Sequence, residues 1–539
     1  MSTSSTTAHW DYDVIEIGCG PVGQSLAALL GQRGHRVGVF ERWPEPYPLP
    51  RAGHVDHEIM RILQLIGAAD EFEPHAIPIP DYDWFNGAGE LLLHLDWNQP
   101  TPSGWKSDYL LFQPDLQDAL LNAVGRHPSV ELNFGWAATA VRQFDDHVEL
   151  DLAHGSEAGG AWVPDGETRT VTAGFLIGAD GANSTVRRAV DLNWVDLGFE
   201  EQWLVVDIEP HDPELEVDMP EAGQICDPER PVSLFRWLGR RHCRWEFMLL
   251  PGETPEQMTE ESRCWELLSR WKLTPDEATI IRRTVYTFRS LLADSWRRGR
   301  TLIIGDAAHL MPPFMGQGMC SGIRDAANLA WKLDLVLTGR ASASLLDTYT
   351  VERRPHVQQV ITMSMELGGV VCISDPTAAA ARDNAFKTGQ VPPPPPFPWL
   401  TDGVLHRGVD GQPTTAAGRL AVQPRVHHDG RTGLFDDIVG TGWTLISRLA
   451  VARLGIDDDK LAFLQSLGGQ VVHVTRAKAP GAVVDMDAEA TRWLDQLDAD
   501  VVLVRPDFYV YGAARADGAA ALLDSLRRQM DPHLVEQPA

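Results

Sequence analysis

The chain is poor in cysteine. It has six in 539 residues, Cys19, Cys226, Cys243, Cys264, Cys320 and Cys372, with no CxxC and no paired spacing. That excludes a zinc knuckle or a disulfide framework and leaves reduced thiols and no metal site. It is also poor in basic residues, 46 Lys and Arg against 75 Asp and Glu, for a net charge of −29. Such a balance repels nucleic acid and anionic membrane surfaces. No uninterrupted apolar run approaches the ~18 residues of a membrane span. Residues 1–9 are polar where a secretory leader needs an apolar core, so a cytoplasmic location is expected. The glycosylation triplet Asn183-Ser184-Thr185 then carries no meaning, and no internal repeat is present. What remains is ordinary soluble composition, 44% hydrophobic and 22% charged, long enough for about three domains of roughly 150 residues each.

Three glycine-rich segments dominate what is there. The first, Gly18-Cys19-Gly20-Pro21-Val22-Gly23, follows a strand-like stretch at 12–17 and precedes Leu26, Ala27, Leu29 and Leu30 at helical spacing. Glycines at such a turn let the backbone approach a pyrophosphate, and the helix directs free N–H groups at it. A second strand at 36–40 ends in Glu41, about 20 residues on, where an acid bonds an adenosine ribose. Glu16 stands out, because a central parallel strand is normally apolar and a buried carboxylate is costly unless paired.

The second segment, 178–184, is an Asp-Gly turn between a strand at 170–177 and a helix opened by Val186, Arg187 and Arg188. Such turns at strand carboxyl ends are where α/β sheets bind ligands, although many Asp-Gly turns bind nothing. The third begins at a strand, 301–304, and runs Gly305-Asp306-Ala307-Ala308-His309, then Pro312-Pro313-Phe314-Met315-Gly316-Gln317-Gly318. Asp306 can accept hydrogen bonds from sugar-type hydroxyls. Gly316, Gly318 and Gly322 allow close backbone approach before a helix expected at 325–333. Its N-terminus can stabilise negative charge on a flavin ring. His309 is either a base or a structural polar residue, with the structural role favoured. Met315 and Met319 suit core or site.

The order of these segments gives the layout. Residues 1–190 form the first part of an FAD-binding domain, with a helix at 58–65, a second opening at 110–114 and running through 121, and short strands over 130–152. Residues 78–106, rich in Pro, Trp and Asp, break away toward a substrate domain, and 154–167 reads as a variable turn. Residues 191–288 form the strand-rich substrate domain, whose Trp194, Trp203, Trp237 and Trp245 mostly fill core, one or two of them touching a ligand. Residues 289–390 complete the FAD-binding domain. Five consecutive prolines, Pro392 to Pro396, make 391–400 a stiff linker or strap. Residues 401–539 form a small module with strands at 443–446 and 501–504 and an amphipathic helix at 519–530.

With Pro50-Arg51-Ala52-Gly53 and the stretches 244–253 and 324–333, these segments resemble the class A flavoprotein monooxygenases, the para-hydroxybenzoate hydroxylase-like group. The likeness covers nearly the whole chain, more loosely after the prolines. Glu16 and Cys19 depart from the small apolar residues usual there.

The resemblance implies an α/β fold, with a Rossmann-like FAD-binding domain, a β-sheet substrate domain and a thioredoxin-like C-terminal module. Lacking any cysteine after Cys372, that module cannot do thioredoxin chemistry; docking or oligomerisation, as in a homodimer, is its default role. Residue by residue, the resemblance implies that Glu41 holds the ribose, that Arg42 lies near the adenosine, and that Arg51 and Gln113 line the phosphate and ribityl side. Asp180 falls near the pyrophosphate and the groove where NAD(P)H visits, and Asp306 bonds the ribityl chain. The backbone of Gly318, Met319 and Cys320 faces the pyrimidine end, and that around Pro312 the oxygen-reacting edge. The implied reaction is hydroxylation of a phenolic acid of the 3-(3-hydroxyphenyl)propionate kind by O₂ and NAD(P)H, through a C4a-hydroperoxide on FAD. His54 and Asp56, just past the Pro-Arg-Ala-Gly turn, are the candidates to activate the phenol, or they merely shape that loop. Competing readings are a polyketide or antibiotic ring as substrate, an FAD oxidoreductase without oxygen insertion, and a flavin-containing binding protein without turnover.

Overall fold

The computed structural model describes residues 10–212 and 214–530; the polar segment 1–9 and residues 531–539 lie outside the described residues. Strand Tyr12–Ile17 pairs in parallel with Val37–Glu41 on one side and with the end of Ala161–Gly178 on the other; Thr301–Ile303 continues the parallel sheet. Register places Ile17 opposite Gly178 and Gly178 opposite Ile303. All three glycine-rich segments therefore leave the sheet at one edge, the carboxyl edge at which open α/β sheets bind ligands. Helices Pro21–Gly31 and Gln317–Leu337 pack side by side behind them. A Cβ at Gly322 would lie 2.6 Å from Val22 and 3.0 Å from the Gly305 Cα, so that position requires glycine for close approach.

Two expectations are corrected. Residues 154–167 are a hairpin rather than a variable turn, with Val148–Ala158 antiparallel to Ala161–Gly178. Gly159 and Gly160, at φ +62° and +81°, supply the two-residue turn. The glycines that suggested a loop occupy a two-stranded ribbon whose partner strand dictates extension. The helix expected at 325–333 begins at Gln317, since Gly316 at φ +65° turns the chain directly into it and places Gly318 and Gly322 inside the helix.

The second sheet is mostly antiparallel, in the order His309–Leu310, Ala278–Ala293, Trp194–Pro210, His242–Met248, Val232–Leu238, Ala222–Cys226, Asp81–Asn86, Leu91–Asp96. Its last two strands come from the Trp- and Asp-rich stretch 78–106. Its register aligns Trp84, Gln224, Ser233 and Glu246 in one row across four strands.

The third sheet forms the C-terminal module. Thr444–Ser447, Gln470–Thr475 and Val483–Asp485 are parallel neighbours, flanked by antiparallel Val501–Val504 and Val510–Ala514, with helix Ala519–Met530 packed on them. A buried charge cluster joins this module to the first domain. Glu352 accepts from Lys332 (2.8 Å), Asn328 (2.7 Å) and Arg505 (2.7 Å), and Arg505 also donates to Asp507. Arg61 pairs with Asp436, and Tyr509 donates to Glu58. Among the described residues no single helix is long and apolar enough to cross a membrane.

Candidate functional site

One cavity of about 1690 Å³ runs from the carboxyl edge of the first sheet to the face of the second. A pocket for one drug-sized ligand measures about 300–1,000 Å³, so this volume has room for a large cofactor and a second molecule. Gly18, Gly20, Glu41, Arg42, Arg51, Gln113, Asp180, Asp306, Gly318 and Met319 all line it, as do His54 and Asp56.

The residues present fit FAD on three observations. Helix Pro21–Gly31 starts at Gly20 with no side-chain cap, and helix Gln317–Leu337 starts at Gly316 likewise, so first-turn N–H groups of both are left for a ligand. Gly18 holds φ +104°, with an added Cβ 2.3 Å from Ala179 O, whereas a Cβ at Gly20 or Gly318 would meet nothing within 4 Å. Asp306 is exposed to the cavity and makes no hydrogen bond with the described protein atoms, although it follows the tightly packed Gly305.

The supporting residues are fixed. Glu41 accepts from Cys19 N (2.9 Å) and Trp43 N (3.0 Å), which sets the acid beside the glycine turn. Gln113 accepts from Ala52 N at 2.7 Å and so shapes the Arg51 loop. Asp180 accepts from Ser184 Oγ, Thr185 N and Val186 N, capping the short helix Thr185–Ala189 at the cavity wall.

Three predicted positions stand off the wall. Gly23 packs inward, where a Cβ would lie 2.3 Å from Glu16 Oε1. Glu16 therefore fills the space under the glycine turn; it is fully buried without a hydrogen-bond partner, and burial pushes its carboxyl well above the usual range, favouring the neutral form. The Cys320 thiol turns to the carbonyls of His54 and Gly316. Pro312 directs its carbonyl to Ser364 Oγ (2.7 Å), while Met311 and Pro313 line the cavity in its place. His309 is buried and donates to Asp325 at 2.7 Å, the structural role favoured for it.

The two candidate bases are both engaged. Asp56 Oδ1 caps helix His57–Ile66 through Glu58 N and Ile59 N, and its Oδ2 accepts from Gln317 and Arg324. Burial opposes its charge, but Arg324 and the neighbouring histidines hold the carboxyl far below its usual range. His54 donates through Nε2 to Asp108 at 2.7 Å. Burial opposes its charge too, yet the bond to Asp108 raises the imidazole well above its ordinary value and favours its protonated form.

At the other end, the cavity is walled by Tyr82, Trp84, Trp97, Phe235, Phe314 and Phe386. Trp203 and Trp245 are fully buried, and none of the four tryptophans named from the sequence lines the cavity. Between the aromatic side chains, Ser233 Oγ donates to Gln224 Oε1 (2.8 Å) and Gln224 Nε2 to Tyr82 Oη (2.8 Å). Beside them lies Glu246, which the sequence reading did not single out although it sits within the stretch 244–253. Residues 391–399, the proline segment, border the cavity together with Trp493 and Leu497 of the C-terminal module. Phe397 packs under Arg324, and Pro398 O accepts from His356 at 3.0 Å.

Residues 11–364 match the FAD binding domain family, and residues 418–529 the HcaD C-terminal domain. The chain is 38% identical to a probable NADH-specific resorcinol 4-hydroxylase of Rhodococcus jostii (strain RHA1), over 98% of this chain and 96% of that protein. It is 33% identical to a 3-(3-hydroxy-phenyl)propionate/3-hydroxycinnamic acid hydroxylase of Mycolicibacterium gilvum (strain PYR-GCK), over 96% and 92%. In fold it is similar to aklavinone-11 hydroxylase solved with FAD and aklavinone, with a TM-score of 0.77 at 24% identity over 97% of this chain and 100% of that one. With both cavity and family in view, the chain belongs to the FAD-binding family of class A flavoprotein hydroxylases.

Proposed function

We propose that the protein hydroxylates a small phenolic ring, with NADH as the electron donor. The observation that carries this reading is the single cavity joining uncapped helix N-termini and an open Asp306 to an aromatic face bearing a Ser233–Gln224–Tyr82 relay. Resorcinol and 3-(3-hydroxyphenyl)propionate, named for the relatives, are both phenols with a meta substituent and serve as the first substrates to test.

Bound in this cavity, FAD would accept a hydride from NADH and supply one atom of O₂ to the ring. The chain's own groups do the rest. First-turn amides of the Gly20 and Gly316 helices hold negative charge, Glu41 takes the ribose, and Asp306 takes the ribityl hydroxyls. Asp56 and the His54–Asp108 pair position the helix start and the loop beside the ring. Gln224 and Ser233 orient Tyr82, leaving its hydroxyl hydrogen to meet a ligand. Stacked aromatic walls and the proline segment exclude water.

The test is a panel of resorcinol, 3-(3-hydroxyphenyl)propionate and 3-hydroxycinnamate, each with NADH and NADPH. Substrate-stimulated NADH oxidation coupled to a product heavier by one oxygen supports the reading. A product lighter by two hydrogens, or NADH oxidation indifferent to every phenol, overturns it.

A further inference from the structure

We propose that Glu246 is the catalytic base of the hydroxylation, its carboxylate taking the proton of the substrate's ring hydroxyl while Gln224, Ser233 and Tyr82 hold the ring beside it. This rests on the functional reading above.

The argument begins with sheet register. Gln224 lies opposite Ser233, and Ser233 opposite Glu246, on adjacent strands whose side chains face the cavity. Gln224, Ser233 and Tyr82 are joined by hydrogen bonds. Glu246 is the exception: among the described residues it makes no hydrogen bond, although it is 8% exposed. An inward-facing carboxylate with no hydrogen bond and only a long ion pair, 3.8 Å to Arg244, is left for a ligand to complete.

The neighbouring charges explain why it stays free. Arg244, on the same strand, is 3.8 Å away. Its guanidinium is committed to Asp207 (2.7 and 3.2 Å) and to the carbonyls of Arg51 and Pro50. Arg282, from the strand Ala278–Ala293, donates to Pro50 O. His242 lies 3.2 Å from Asp207, and Tyr82 approaches from the strand Asp81–Asn86. Burial, against the pull of Arg244 and with a push from Asp207, raises the Glu246 carboxyl to about 7. An acid so placed exchanges its proton near neutral pH, as a general base must. His54, holding its proton on Asp108, and Asp56, with both oxygens occupied, are poorer acceptors.

The step balances. The carboxylate takes the hydroxyl proton, and the oxygen's electron pair moves into the ring. The carbon ortho or para to it forms a C–O bond with one atom of O₂ as the O–O bond breaks; O₂ is the oxidant, NADH gives up two electrons to become NAD⁺, and the second oxygen atom leaves as water. That carbon then releases its own proton to water, offsetting the proton consumed in forming the leaving water and restoring the ring, and Glu246 returns the borrowed proton to the ring oxygen.

The experiment uses Glu246→Gln and Glu246→Asp holoenzymes, with resorcinol and 3-(3-hydroxyphenyl)propionate as probes. FAD content should match wild type. The hydroxylation rate should fall by about 10²–10⁴ in the Gln variant, and the wild-type rise in rate through pH of about 7 should vanish with it and return in part with Asp. As a readout independent of turnover, phenol affinity of the oxidised holoenzyme should change across that pH in wild type and stay flat in the Gln variant. A Gln variant with the wild-type rate and pH limb overturns the assignment and leaves the functional reading standing. A wild-type enzyme that hydroxylates no phenol overturns both.

Discussion

Replacing Asp306 should separate cofactor binding from folding. Its carboxylate faces the cavity and makes no hydrogen bond with the described protein atoms. With no protein hydrogen bond to lose, Asp306→Ala should leave the apoprotein as stable as wild type. The holoprotein should lose a charged acceptor facing sugar hydroxyls, about 1.5–3 kcal/mol, or one to two decades in FAD affinity. His309→Ala is the contrast. Its imidazole is fully buried on Asp325, which retains Arg353 at 2.8 Å. That variant should unfold at lower temperature while FAD affinity changes less than for Asp306→Ala. The assay pairs FAD titration of apoprotein, followed by flavin fluorescence quenching, with thermal unfolding of the apoproteins. Equal FAD dissociation constants for the two variants, or a large loss of apoprotein stability in Asp306→Ala, would refute the reasoning.

The purified protein should be yellow, and acid precipitation should release its flavin to the supernatant; flavin in the pellet would show a covalent link. Gly18→Ala should abolish FAD occupancy, because φ +104° and a Cβ 2.3 Å from Ala179 O strain the turn; the flavin-to-protein absorbance ratio reports it. Glu352→Ala should cost about 3–5 kcal/mol by leaving the charges of Lys332 and Arg505 buried without it, read as a lowered unfolding midpoint in denaturant. His54 pairs with Asp108 and has a raised folded pKa. The stability it contributes is therefore full below its ordinary value of about 6.5 and is lost as pH rises through the folded value. Thermal unfolding of wild type and His54→Gln should accordingly differ most in mildly acidic buffer and converge in alkaline buffer.

Local motifs were legible where the chain itself carries the geometry. Gly18, Gly20, Glu41 and Asp306 belong to contiguous strand–turn–helix segments, and each segment reached the cavity. Residues whose roles depend on distant partners were not. Asp56 reads as a free acid until Arg324, far along the chain, closes on it. Glu246 reads as one more strand residue until register sets it beside Ser233. Pro312 was placed by its motif, yet the turn of its carbonyl depends on Ser364 in a later helix. The prolines announced stiffness but not position, since a segment without regular structure carries no periodicity to say which surface it borders.

The same wiring sets an order of assembly. The nucleotide edge needs strands ending at Ile17, Gly178 and Ile303, so it cannot form until more than half the chain has left the ribosome. Domains fold largely as they emerge, N-terminal parts first. Residues 391–399, Trp493 and Tyr509 are made later still, and the wall they add to the cavity is tied to the first domain through the Tyr509–Glu58 and Arg505–Glu352 bonds. A flavin bound during synthesis would therefore meet an open cradle, whereas its release from the finished protein would contend with a wall held by buried charge. On this wiring, uptake and loss of the cofactor should depend on different parts of the chain.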